Sequence, residues 1–117
     1  MSLGNRALAA LASDSARGPF LLALGHRLGI AAREIFADGS PGRLRRAQAC
    51  NEMMIIIWTQ ARAPRGSGDG YPDRAFLTAL LSKADGGEAR PQLDHAVRAA
   101  LAAVEPPPPP NGPDPGA

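Results

Sequence analysis

Cysteine occurs once, as Cys50, so no internal disulfide can hold this chain together. A lone thiol also suits a reducing compartment, and the expectation is a cytoplasmic protein. Aromatic residues are scarce: Phe20, Phe36, Trp58, Tyr71 and Phe76 are all there are, and Lys83 is the single lysine. No apolar run approaches the roughly 18 residues that a membrane-spanning helix needs, which excludes an integral helical membrane protein. The stretch "RALAALASDSA" near the N-terminus has the Arg and small residues of a signal peptide, but its apolar part is short and mostly alanine. It reads as a short first helix.

What is abundant is alanine and leucine. They supply most of the 44% hydrophobic content, and with 21% charged residues the composition is that of a globular chain biased towards helix. A length of 117 residues allows one domain with a modest core. The formal net charge of +2, with an isoelectric point near 9.3, is too slight to imply a nucleic-acid partner by itself.

Breaks divide the chain cleanly. From Glu105, "EPPPPPNGPDPGA" has no side chain able to join a core, so residues 105–117 read as a disordered proline-rich tail behind a helical domain over 1–104. "APRGSGDGYP" at 63–72 reads as a loop. "ADGSPGR" at 37–43 reads as a helix stop and start, with Gly39 closing one helix, Ser40 capping the next and Pro41 in its first turn.

Between the breaks lie four helical segments. Residues 20–37 place Leu21, Leu24, Leu28, Ala31 and Ile35 on one stripe at 3.6-residue spacing. Residues 71–84 line up Leu77, Leu80, Leu81 and Ala84, and residues 91–104 line up Leu93, Val97, Ala100, Leu101 and Val104. The fourth segment, 41–62, holds "NEMMIIIWTQ", in which Met53 to Trp58 are all apolar. Isoleucine and tryptophan favour sheet, yet "RLRRAQACNE" before them is strongly helical and no turn separates the two.

At 100° per residue, Leu44, Ala47, Asn51, Met54, Ile55 and Trp58 share a face, which the sequence suggests is the core side, with Asn51 as a core polar group. Ala49, Met53, Ile56 and Ile57 then point elsewhere and form the expected partner-binding surface. A helix apolar all round is enclosed on every side or completes itself in an assembly, and a bundle this small encloses little. The expected fold is therefore an all-α bundle of four main helices, with a short N-terminal fifth possible and this segment at its centre.

Candidate chemistry is thin. His26 and His95 are the only histidines, and neither has a second His or Cys at metal-ligand spacing; no metal and no cofactor are expected. Cys50 has no His placed to deprotonate it. "RGSGDG" lacks the strand and the Lys-Ser/Thr of a phosphate loop, and "SDSARG" offers serines without a usable histidine. Arg43, Arg45 and Arg46 open a helix after a turn and are candidates for anion or nucleic-acid binding. "ALGHRLGIAA", residues 23–32, is similar over about ten residues to the phosphorylated helix of histidine phosphotransfer domains, which implies a phosphoryl-accepting role for His26. Gly29 fits that pattern; Leu28 stands where it has a lysine.

Together these residues point to a non-catalytic interaction or regulatory module that meets a copy of itself or another helical protein. Nucleic-acid binding and histidine phosphotransfer are the alternatives, and no small-molecule substrate or membrane partner is implied.

Overall fold

The structure is a computed structural model and describes residues 2–63 and 71–105. It is all-α. Five helices follow one another: α1 (Leu3–Ala12), α2 (Arg17–Asp38), α3 (Arg43–Arg62), α4 (Tyr71–Gly86) and α5 (Arg90–Val104). The short N-terminal helix is present, capped by the Ser2 hydroxyl, which accepts from the Asn5 amide at 3.1 Å. Most of the loop at 63–72 and the tail from residue 106 lie outside the described residues. No helix among the described residues is long and apolar enough to cross a membrane.

The centre of the molecule is α2. It packs against α1, α3 and α5, and its Phe20, Leu21, Leu24, Leu28, Ala32 and Ile35 are buried among them. The expectation that α3 is the central helix is corrected: its main packing partners are α2 and α4, and its remaining side is open. A helix with a leucine stripe on one face and close neighbours on three sides is the better core element; α3 carries too many polar residues for that position.

Local signals set the helix ends. Gly39 closes α2 with φ 70°, a left-handed conformation that costs glycine little. Helix α3 begins at Arg43, two residues later than the sequence suggests, because Gly42 at φ 76° reverses the chain. Ser40 does not cap α3 as expected; its amide donates to the Asp38 carboxylate at 2.8 Å and its hydroxyl accepts from Arg46. The backbone bond from Ser40, followed by that of its hydroxyl, holds the Asp38 carboxyl below its ordinary range.

The α4–α5 turn is the tightest join. The Gly87 amide donates to the Lys83 carbonyl and the Ala89 amide to the Ala84 carbonyl at 2.8 Å, with Glu88 at φ 59° between them. A Cβ on Gly87 would stand 2.3 Å from the Ala49 Cβ, so glycine is what lets this turn press against α3. That contact helps fix which side of α3 is buried.

Candidate functional site: the open face of the α2–α3 hairpin

Helix α3 sits in the molecule with its faces exchanged relative to the sequence reading. Ala49, Met53 and Ile57 are buried in the chain's own core with Ala47 and Cys50, and Ile56 is half-buried. They are not a free partner-binding surface. Asn51 is exposed, so it is not a core polar group, and the outward side also carries Leu44 at 63% exposure, Ile55 at 65% and Trp58 at 37%. The cause is packing geometry: the Gly87 turn presses on Ala49, whose small side chain permits close approach, and α2 packs along the side of α3 that carries Ile57.

Two glycines bring α2 and α3 together along a seam. The indole of Trp58 lies 3.4 Å from where a Cβ on Gly25 would stand, and the Met54 sulfur 3.2 Å from that of Gly29. Moving forward on α2 means moving backward on α3, so the pair is an antiparallel hairpin. A shallow groove of about 470 Å³ follows the seam. His26, Arg33 and Phe36 line it from α2; Asn51, Met54 and Trp58 line it from α3.

The surface around the groove is unusually apolar for an exposed helix pair. Of the exposed large hydrophobic residues among those described, Leu22, Phe36, Leu44, Ile55 and Trp58 all lie on α2 or α3, and only Leu81 lies elsewhere. Leu22 and Phe36, 14 residues apart, share a stripe of α2, as do Leu44, Ile55 and Trp58 of α3, at spacings of 11 and 3. The formal charges on this face are cationic. Arg33 and Arg62 are exposed and form no ion pair among the described residues, and the nearest acidic residue of α3, Glu52, is turned towards α4 and paired with Lys83 at 3.4 Å.

The other sequence candidates do not assemble into a site. Arg43 donates to the Gly39 carbonyl at 3.4 Å, Arg45 to the Gly86 carbonyl at 3.2 Å while standing 3.8 Å from Glu88, and Arg46 to the Ser40 hydroxyl. Arg43 and Arg46 are thus both turned back on the Asp38–Ser40 turn, where each also acts on the Asp38 carboxylate, while Arg45 is directed at the α4–α5 join. His26 is exposed on α2 inside the groove, and His95 is exposed on α5. Among the described residues no three His, Cys, Asp or Glu side chains converge as metal ligands. Cys50 is fully buried, and burial pushes its thiol up to about 11.

The sequence contains a signal for the open face that the apolar run masks. Gln48, Asn51, Thr59 and Arg62 recur at helical spacing on one stripe of α3 and mark its solvent side. Compared with protein-family models, with curated proteins and with solved structures, the chain matches none.

Proposed function

We propose that this protein is a non-catalytic helical interaction module that binds its partner through the outer face of the α2–α3 hairpin. One observation carries the reading: the large apolar side chains left exposed gather on that single face instead of scattering singly over the surface. Trp58 and Phe36 supply the kind of aromatic anchors on which interface energy concentrates. Because Gly25 and Gly29 let Trp58 and Met54 pack down onto α2, the two helices present these side chains as one continuous surface.

Site-specific photo-crosslinking in cells producing the full chain tests this. A crosslinker in place of Ile55 should give a protein adduct of defined mass, and one in place of Ala103, exposed on α5, should give none. Absence of any adduct at 55, or equal labelling at 55 and 103, contradicts the reading.

A further inference from the structure

We infer that the occupant of this face is a second copy of the chain, docked so that α2 of each copy lies antiparallel on α3 of the other. The inference rests on the interaction reading above and adds the partner and its register.

Area is the first support. Stripes running from Leu22 to Phe36 and from Leu44 to Arg62, on helices about 10 Å apart, present roughly 500 Å² per copy and about 1,000 Å² for the pair, the lower bound for a specific interface. Such docking turns two hairpins into a four-helix bundle, the arrangement in which amphipathic helices complete one another.

Register is the second. Residue 25 lies level with 58 and residue 29 with 54, so Arg33 lies level with Cys50 and Asn51, and Phe36 with Ala47. A two-fold axis parallel to the helices sets each α2 residue opposite the α3 residue at its own level in the second copy. Phe36 then meets the partner's Leu44, His26 the partner's Ile55 and Trp58, and Leu22 the stem of the partner's Arg62. Arg33 meets the partner's Asn51, whose amide oxygen accepts from the guanidinium. No cation opposes a cation.

Sedimentation equilibrium of the full chain over a range of concentrations is the test, with circular dichroism to verify that each variant is folded. The parent should associate to a dimer in the micromolar range, and Ile55→Glu should be a folded monomer. Asn51 is exposed, so exchanging it leaves the core untouched. Asn51→Asp should tighten the dimer about three- to tenfold by placing a carboxylate against Arg33, and Asn51→Arg should loosen it at least as much. A parent that is monomeric throughout overturns the second copy as occupant while leaving crosslinking at 55 to judge the interaction reading. A dimer indifferent to Asn51→Asp and Asn51→Arg overturns the register. A dimer that survives Ile55→Glu unchanged is built on another face and overturns the inference.

Discussion

Arg17 Nη1 stands 2.8 Å from Asp73 Oδ1, with the two side chains only 12% and 15% exposed. The same guanidinium nitrogen donates to the Leu11 carbonyl at 3.0 Å, and the Gln60 amide reaches Asp73 at 3.3 Å. One largely enclosed pair therefore joins the end of α1, the start of α2, the end of α3 and the start of α4. It fixes the end of the bundle at which the hairpin seam opens.

Removing one partner leaves an uncompensated charge in a poorly solvated place. Arg17→Met should cost on the order of 2–3 kcal/mol of unfolding free energy, somewhat below the full cost for a deeply buried pair because some solvent reaches Asp73. Arg17→Met with Asp73→Leu should cost less than the sum of the two single changes, since no lone charge remains. Urea denaturation of the four proteins checks this; strict additivity would contradict the role given to the pair.

The exchange of faces on α3 predicts opposite outcomes for neighbouring isoleucines. Ile57 is fully buried and Ile55 is 65% exposed. Ile57→Ala should cost about 2–5 kcal/mol through lost burial and the cavity left behind. Ile55→Ala, measured at concentrations too low for association, should lie within about 0.5 kcal/mol of the parent. Comparable losses at both positions would contradict the orientation of the helix.

Much of the fold was legible because most helices declare one face. The stripe of Leu21, Leu24, Leu28 and Ile35 is buried as its spacing predicts, and Gly39 ends α2 where glycine is expected. Leu81, expected in the core, is 37% exposed, since the leucines of α4 wrap too far round the helix for all to be covered. The phase of α3 was not legible from apolarity, because Met53 to Trp58 offer apolar groups in every direction. It is decided by steric fit, with Ala49 where the Gly87 turn presses closest and Met54 and Trp58 over the glycines of α2. Reading the candidate surface from the sequence required knowing which helix lies opposite Gly25 and Gly29.

Cys50 gives the protein an alkaline limb of known sign. Its thiol ionises at about 11 in the folded chain against 9.0 when unperturbed, because the buried thiolate is poorly solvated. Between these values the unfolded chain has lost a proton that the folded chain keeps, so unfolding is favoured. The contribution is fully present below pH 9.0 and is lost as pH rises towards 11. Denaturation midpoints of the parent should fall more steeply across this window than those of Cys50→Ala, and a thiol reagent should label the parent only as it unfolds. Rapid labelling under native conditions would contradict the burial.

The central claim, that a second copy of the chain covers the outer face of the hairpin, is reached most directly through Trp58. It is the only tryptophan in the chain and stands at the seam, 37% exposed in the single copy. Its fluorescence should be measured as the full chain is diluted through the micromolar range, beside Ile55→Glu. Emission of the parent that shifts to longer wavelength on dilution, towards a position that Ile55→Glu shows at every concentration, is the predicted result. Emission identical in the two proteins and unchanged by dilution would mean that no second copy covers this face.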